Sequence, residues 1–418
     1  MYIMDVMRRL AACALASIGV LMLGSCGGDD DGRPDGERHA HTLVQLDGIG
    51  NAPEGADGGS TDDGVVDFTE PVSLHVRSGQ IESAEVISAD GTELTGSVAD
   101  DGHTWTSERR PDPGQNYELT ITASDHFGRS HTLSDEFTVA EVPEGDRLTL
   151  SMQPSNESVV GVGAPIVIRF DQSVTEREAV EREMHVSSNP QVVGSWHWVN
   201  DSEAHFRPKD YWPAGTAVAV DLELNGVQAG DGLWGGRSYH LKFDVGEERI
   251  AEVDADEYDM SMNVDGETQE TWDTSLGEPD FATRNGTYVI LEKFEERNMT
   301  SCSANITCDE DDPEYYDVDT DWAVRLSYSG TFVHSAPWSE GDQGEDNVSH
   351  GCINLNESNA ETFYEMARYG DVVTVENSTR GPDDLVERGD PGMVDWNQSW
   401  DEYVAGSALG EEITTDEL

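Results

Sequence analysis

Short runs of alternating apolar and polar residues are the feature that most restricts how residues 63 to about 247 can fold. Examples are Val72/Leu74/Val76 and Ile166/Ile168/Phe170, and turn-forming residues separate the runs. A period of two places every second side chain on the same face of a strand. The pattern therefore predicts a mainly β protein built from strands with one buried face.

The β pattern also repeats about 100 residues further along the chain. Two copies of an all-β unit of this length are typical of immunoglobulin-like β-sandwiches, which we place at residues 63–141 and 142–248. We interpret both as spacers for the domain that follows. Trp105, Gly114, Tyr117, Leu119 and Ile121 of the first copy correspond to Phe206, Gly215, Val218, Val220 and Leu222 of the second.

A third, β-rich unit is predicted at residues 249–378, with strand-like segments at 287–294, 322–334 and 371–375. It contains one short helix. Ser358 and Glu361 form a potential capping box at its start, and Gly370 supplies its stop. The C-terminal extension, residues 379–418, is too aromatic for pure disorder, and we expect it to pack on this third unit before an acidic end frays.

The N-terminus reads as an export signal. Arg8 and Arg9 precede the apolar run 10–23, which is too short to span a bilayer comfortably. Leu23-Gly24-Ser25-Cys26 looks like a bacterial lipobox, in which Cys26 is lipidated after cleavage; ordinary signal-peptidase cleavage is the alternative. We predict a signal peptide at 1–26, a flexible Gly- and Asp-rich linker at 27–62, and a lipid-anchored protein on the extracytoplasmic face of the cell membrane.

The formal net charge of −61 excludes nucleic acid as a partner held through its phosphates. The acidic residues are scattered along the whole chain, so we interpret them as a solvated surface suited to a saline environment. His39 and His41 lie in the predicted linker, where two histidines in a polar segment are more often without function than ligands of a metal.

Five cysteines are present, of which Cys13 belongs to the predicted signal. Beyond Cys26, an odd number remains, so one thiol stays free if the other two pair. Cys302 and Cys308 are close enough to close a short loop, which an exported chain can keep oxidised. Cys352 is then the free thiol.

Cys352 lies in Ser349-His350-Gly351-Cys352-Ile353-Asn354, with His334 upstream. A cysteine near two histidines can serve as a nucleophile, a metal ligand or half of a disulfide. Histidine has a pKa suited to taking a thiol proton and then remaining nearby as imidazolium. Gly351 allows a tight turn where N–H groups can receive an oxyanion. The parts needed for covalent acyl transfer are therefore present.

His334 together with Ser349-His350-Gly351-Cys352 and Asn354 resembles the signature of the L,D-transpeptidases, the YkuD-fold enzymes that cross-link peptidoglycan. The resemblance covers about residues 250 to 405. The flanking segments 327–339 and 395–406 are similar to the mycobacterial and related actinobacterial branch, whose members also carry two immunoglobulin-like domains and a lipoprotein-type N-terminus.

The resemblance implies a role for each matching residue. Cys352 is the nucleophile, His334 the general base, and the carbonyl of Ser335 orients the imidazole. His350 shapes the site, the N–H groups of Gly351 and Cys352 contribute to an oxyanion hole, and Asn354 supports the loop. Lid, pocket or substrate contacts fall to Met299, Tyr316, Trp338 and Ser349, although adjacent Tyr315 leaves the register of Tyr316 open by one residue.

The resemblance also implies the reaction. A tetrapeptide stem donates an acyl group to Cys352, D-alanine leaves, and the diamino acid of a neighbouring stem accepts the acyl group in a 3→3 cross-link; no cofactor is required, and carbapenems acylate the same cysteine. The alternatives are an L,D-carboxypeptidase that hydrolyses the same intermediate, and a non-catalytic peptidoglycan-binding lipoprotein. Cys302 and Cys308 are not part of the family pattern. A zinc site made of these two with His350 and Cys352 does not have structural-zinc spacing, so no metal is expected.

Overall fold

The computed structural model describes residues 46–51, 65–304 and 306–418. The predicted signal peptide with Cys26, and most of the predicted linker, lie outside these residues. None of the helices in the described ranges is long and apolar enough to cross a membrane.

The first sandwich consists of two four-stranded sheets, with strand orders β1-β3-β6-β5 and β2-β8-β7-β4. Alternation governs its packing, because Val72, Leu74 and Val76 are buried while the residue between the last two is exposed. The strands are β1 (Leu46–Asn51), β2 (Val65–Val66), β3 (Val72–Val76), β4 (Gln80–Ser88), β5 (Gly96–Val98), β6 (Thr104–Ser107), β7 (Asn116–Ser124) and β8 (Ser130–Val139).

The prediction of a flexible linker is wrong at strand β1. Leu46–Asn51 lies inside the segment 27–62, yet it pairs antiparallel with Val72–Val76 and completes the first sheet. Its sequence LDGIGN contains two glycines and an aspartate, which concealed the strand from a reading of composition. Backbone pairing to the neighbouring strand decided the conformation of this segment.

The second sandwich has the same topology as the first. Its orders β10-β12-β15-β14 and β11-β19-β16-β13 match the first two sheets strand for strand, and a small third sheet joins β17, β18 and β9. The elements are β9 (Arg147–Leu148), β10 (Leu150–Gln153), β11 (Ser158–Val160), β12 (Ile166–Phe170), α1 (Arg177–Glu181), β13 (Met184–Asn189), β14 (Val193–Asn200), β15 (Glu203–Pro208), β16 (Ala217–Leu222), β17 (Gln228–Gly230), β18 (Leu233–Gly235) and β19 (Tyr239–Val245).

The repeat in the sequence corresponds to a repeated backbone turn in the structure. Gly114 and Gly215 both have positive φ, at 75° and 79°. Each donates its N–H across the sandwich end, to the carbonyls of Ala140 and Val245 respectively. A residue with a Cβ is strained at this φ, which explains why the same glycine recurs at the same place in both copies.

The third unit is built from two sheets, ordered β22-β21-β20-β28-β23 and β24-β25-β26-β27. The segment 287–294 is shared between them, because the N–H of Ile290 bonds to Asp371 in the first sheet and that of Leu291 to Arg325 in the second. The elements are β20 (Arg249–Asp254), β21 (Asp259–Val264), β22 (Glu267–Asp273), β23 (Gly286–Val289), β24 (Glu292–Thr300), β25 (Asp317–Arg325), β26 (Phe332–Ser335), β27 (Ile353–Leu355), α2 (Glu357–Met366) and β28 (Val372–Glu376).

The N-cap of helix α2 lies two residues before the predicted one. Asn356, not Ser358, is the N-cap, and its side chain accepts a hydrogen bond from the N–H of Asn359. The helix ends at Met366, and Gly370 follows with a φ of 83° after a short non-helical stretch. Asn is as good an N-cap as Ser, so the capping-box pattern alone could not choose between them.

The C-terminal extension contains α3 (Asp383–Val386), α4 (Trp400–Ala405), β29 (Ile413–Thr414) and β30 (Asp416–Glu417). Its first part packs on the third unit as predicted, since Met393 belongs to that core. The prediction that its end frays is wrong: β29 pairs with β14 and β30 with β13, one in each sheet of the second sandwich. Free sheet edges provided main-chain partners that an acidic composition does not reveal.

Close backbone contact joins the second sandwich to the third unit. The N–H groups of Gly161 and Gly163 donate to the carbonyls of Tyr369 and Gly370. A Cβ on Gly161 would lie 2.1 Å from the backbone nitrogen of Asp371, so no larger residue fits there. The segment leading into β28 is therefore fixed directly against the second sandwich.

Candidate active site

The predicted base His334 and the predicted nucleophile Cys352 are positioned by two neighbouring parallel strands. His334 lies in β26 and is paired with Asn354 of β27, two residues beyond Cys352. Gly351, with a φ of 115°, makes the bend that brings Cys352 to the start of β27. Cys352 is half-buried, and its Sγ lies 3.5 Å from the carbonyl oxygen of Gly330.

His334 is held in one tautomer by its neighbour. Its ring is buried, and Nδ1 lies 2.8 Å from the carbonyl oxygen of Ser335, which can only accept a hydrogen bond. Nδ1 therefore carries the proton, and Nε2 retains a lone pair. Burial lowers the pKa of His334, opposed in part by this hydrogen bond, so the ring is neutral and ready to accept a proton.

The thiol of Cys352 is also neutral in this state. Burial raises its pKa to about 11, opposed in part by a hydrogen bond that the sulfur accepts from the backbone of Phe332. Both side chains line the same pocket, where a neutral thiol can transfer its proton to a neutral imidazole as it attacks an electrophile. Such an arrangement is chemically suited to acyl transfer.

Ser349 closes the turn that carries Cys352. Its Oγ donates to the carbonyl oxygen of Cys352 at 2.7 Å and accepts the N–H of Gly351 at 3.1 Å. The carbonyl of Gly351 accepts a further bond from the hydroxyl of Thr283 at 3.1 Å. The N–H of Gly351 is therefore engaged within the turn in this conformation, and the oxyanion roles of the Gly351 and Cys352 N–H groups stay predictions.

A hairpin of β24 and β25 covers the cysteine and forms a lid. Met299 and Val318 are paired across the hairpin, and both line the pocket. Tyr316 lines the pocket, whereas Tyr315 does not, which decides the register that the sequence left open. Burial, with a further contribution from the charge of Cys352, raises the pKa of Tyr316 to about 12, so its hydroxyl keeps its proton.

The disulfide-bonded lid loop connects the two strands of this hairpin. Cys302 and Cys308 form a disulfide, and both are exposed. Their sulfurs are thereby unavailable as thiolates, so the alternative zinc site with His350 and Cys352 is not assembled. Tyr316 is tied to Ser301 at the other end of the loop by three hydrogen bonds.

A cavity of about 270 Å³ opens above Cys352. Trp338 forms its outer rim with 57% of its surface exposed, and its ring centroid lies 6.1 Å from that of His334. All of the predicted substrate-contact residues line this cavity, together with three of the predicted catalytic residues, His334, His350 and Cys352. The lining consists of Met299, Tyr316, Val318, His334, Trp338, Val348, Ser349, His350, Cys352 and Asn354.

Asn354 has a supporting position. It is buried, and its Nδ2 donates to the Oγ of Ser339 at 3.1 Å. This contact links β27 to the segment that carries Trp338. It agrees with a role in holding the loop.

Sequence reasoning missed the surroundings of His350. Its Nε2 lies 2.9 Å from Oε2 of Glu314, and its ring packs against Phe281 and Tyr316 at centroid distances of 4.7 and 5.2 Å. Glu278 lies in the same group of ligand atoms. In so acidic a chain, a single glutamate in the lid gave no signal that distinguished it from the solvated surface.

Comparisons with known proteins agree with this architecture. Residues 248–375 match the model for the L,D-transpeptidase catalytic domain, and residues 63–228 match the model for a bacterial Ig domain. The chain is 34% identical over 351 residues to L,D-transpeptidase 2 of Mycobacterium tuberculosis, covering 84% of each chain. It is 32% identical over 346 residues to L,D-transpeptidase 5 of the same species, covering 81% of this chain and 73% of that one.

Among solved structures, an L,D-transpeptidase in complex with imipenem is 33% identical, with a TM-score of 0.49, over 55% of this chain and 99% of the other. The extent of the sequence similarity decides the assignment. The chain belongs to the L,D-transpeptidase family, with immunoglobulin-like β-sandwiches preceding its catalytic domain.

Proposed function

We propose that this protein is a peptidoglycan L,D-transpeptidase that forms 3→3 cross-links through a thioester on Cys352. The observation that carries the proposal is the orientation of His334, whose Nδ1 is committed to Ser335 while Nε2 is free to take a proton. Cys352 stands two residues before the strand partner of this histidine. A base fixed beside a thiol is the requirement for nucleophilic acyl transfer.

In the first half-reaction, Sγ of Cys352 attacks the carbonyl carbon of the third residue of a tetrapeptide stem. Its proton passes to Nε2 of His334, and the carbonyl electron pair moves to oxygen. The N–H of Cys352 and the hydroxyl of Tyr316 donate to this oxyanion. The intermediate collapses, the C–N bond breaks, and His334 protonates the departing amine of D-alanine.

In the second half-reaction, the side-chain amine of the diamino acid in a neighbouring stem attacks the thioester. His334 accepts a proton from that amine, the C–S bond breaks, and the thiolate is reprotonated. Water in place of the amine would give tripeptide, the L,D-carboxypeptidase outcome. We propose that the second stem enters at the exposed rim formed by Trp338.

We further propose that carbapenems acylate Cys352, since a relative has been solved with imipenem. A lipid on Cys26 would hold the protein on the outer face of the cell membrane, with the two sandwiches as spacers between anchor and catalytic domain. The non-catalytic binding lipoprotein remains the rival function, and it requires no base beside the cysteine.

Mass spectrometry of reaction products tests the proposal. Residues 27–418 are incubated with disaccharide-tetrapeptide beside a Cys352→Ala control. A cross-linked dimer that lacks one D-alanine and is absent from the control supports the transpeptidase. Tripeptide alone supports the carboxypeptidase, and unchanged substrate in both samples supports the binding protein.

A further inference from the structure

We propose that Glu278, Glu314 and His350 form a binding site for a divalent transition-metal ion, with Zn²⁺ the best match, that links the lid to the turn carrying Cys352. One potential ligand atom from each residue lies within 4.8 Å of the others. The three residues come from three separate segments of the catalytic domain. A bound ion would therefore link three segments that are distant from one another in the sequence.

Two of the ligands are held in register by the backbone. Gly277 and Ser349 form a parallel bridge, and the N–H of Glu278 donates to the carbonyl of Ser349 at 2.9 Å. Glu278 and His350 therefore each directly follow a residue of this backbone bridge. A site with this support does not require the main chain to reorganise when an ion binds.

The third ligand is positioned by the lid loop. The N–H of Glu314 donates to a carboxylate oxygen of Asp312 at 2.9 Å, and its own Oε2 lies 2.9 Å from Nε2 of His350. The ring of His350 is confined between Phe281 and Tyr316. This packing restricts the ring orientation, as supporting contacts do around metal-bound histidines.

The charge of the group is unbalanced. All three side chains are half-buried. Within the part of the chain that the structure describes, no Lys or Arg forms a salt bridge with Glu278 or Glu314. Two carboxylates with a single imidazole carry excess negative charge, which a divalent cation would neutralise.

The donor set indicates the kind of ion. One imidazole nitrogen and two carboxylate oxygens match Zn²⁺ with three protein ligands and an open position. Ca²⁺ and Mg²⁺ prefer sites made of oxygen ligands alone. The site differs from the rejected zinc alternative because it uses none of the cysteines.

Zinc titration tests the proposal in the whole chain carrying Cys13→Ala, Cys26→Ala and Cys352→Ala, so that no free thiol competes. We expect one Zn²⁺ per chain by calorimetry, with affinity reduced at least about tenfold by Glu278→Gln or by Glu314→Gln. Glu310→Gln is the matched control, because Glu310 is an exposed glutamate of the same loop. It should leave the affinity unchanged within about twofold.

Hydrogen exchange supplies a second readout, independent of catalysis. Zn²⁺ should slow exchange at 309–316 in the lid, and Glu278→Gln, which lies outside the lid, should abolish that protection. Thermal unfolding without Zn²⁺ verifies that each variant is folded. Equal binding by Glu278→Gln, Glu314→Gln and Glu310→Gln, or displacement of Zn²⁺ by an equal concentration of Ca²⁺, would refute the site and leave only a diffuse acidic surface.

Discussion

The protonation state of Cys352 leads to a prediction that needs no substrate. Burial raises the pKa of its thiol to about 11 from an ordinary 9.0. A shift of about two pH units lowers the thiolate fraction near pH 8 about 100-fold, and the thiolate is the form that iodoacetamide attacks. We expect alkylation of the folded protein near pH 8 to be about 100-fold slower than in denaturant, and its rate to rise about tenfold per pH unit until near pH 11.

The assay is intact-protein mass spectrometry of residues 27–418 without reductant, in which Cys352 is the free thiol. Slow access to a half-buried sulfur changes the absolute rate, so the pH midpoint is the quantity that decides. His334→Ala should leave that midpoint unchanged, because the buried ring of His334 is neutral. Rapid alkylation of the wild type near pH 6 that is lost in His334→Ala would reveal a thiolate–imidazolium pair and show that the resting thiol is not neutral.

Three further predictions concern contacts outside the active-site pocket. Burial lowers the pKa of the His205 ring, but the charges of Asp395 and Glu203 outweigh it and raise that pKa to about 9. The resulting stabilisation is full below about pH 6.5 and is lost as the pH rises through about 9, so Asp395→Asn should destabilise by about 3 kcal/mol near pH 6, with a smaller loss above pH 9 in thermal unfolding. Thr415→Val removes hydroxyl contacts to Ser188 and to the N–H of Val192, and should lower the free energy of unfolding in urea by about 1–3 kcal/mol. An unchanged midpoint would show that these buried contacts do not stabilise the fold. Replacing both lid cysteines by serine should favour loop opening by about 2 kcal/mol and speed hydrogen exchange at 301–316, whereas unchanged exchange would show that the disulfide does not stiffen the lid.

Much of the fold was predictable because its signals are local. Alternation located the central strands, and the recurrence of Gly114 as Gly215 reflects one backbone turn used twice. The missed elements depend on distant partners. Leu46–Asn51 has a poor strand sequence and is a strand because β3 pairs with it, and the acidic end at 413–417 is ordered because both sheets of the second sandwich have free edges there.

The active site, too, could be predicted only in part from local sequence. The chemistry of Cys352 and His334 followed from their residue types, and the family resemblance implied the role of Ser335. The structure places these residues on adjoining segments. The contact of His350 with Glu314 joins residues 36 positions apart, which no local pattern encodes. The hydrogen bond that occupies the Gly351 N–H depends on a side-chain rotamer and was equally invisible in the sequence.

Intact-mass analysis of a rapidly quenched reaction tests whether Cys352 carries the acyl group. Residues 27–418 mixed with disaccharide-tetrapeptide should gain the mass of the donor minus D-alanine, and peptide mapping should locate a hydroxylamine-sensitive adduct on Cys352. An adduct that persists in Cys352→Ala, or cross-linked product formed by that variant, would show that Cys352 is not the nucleophile.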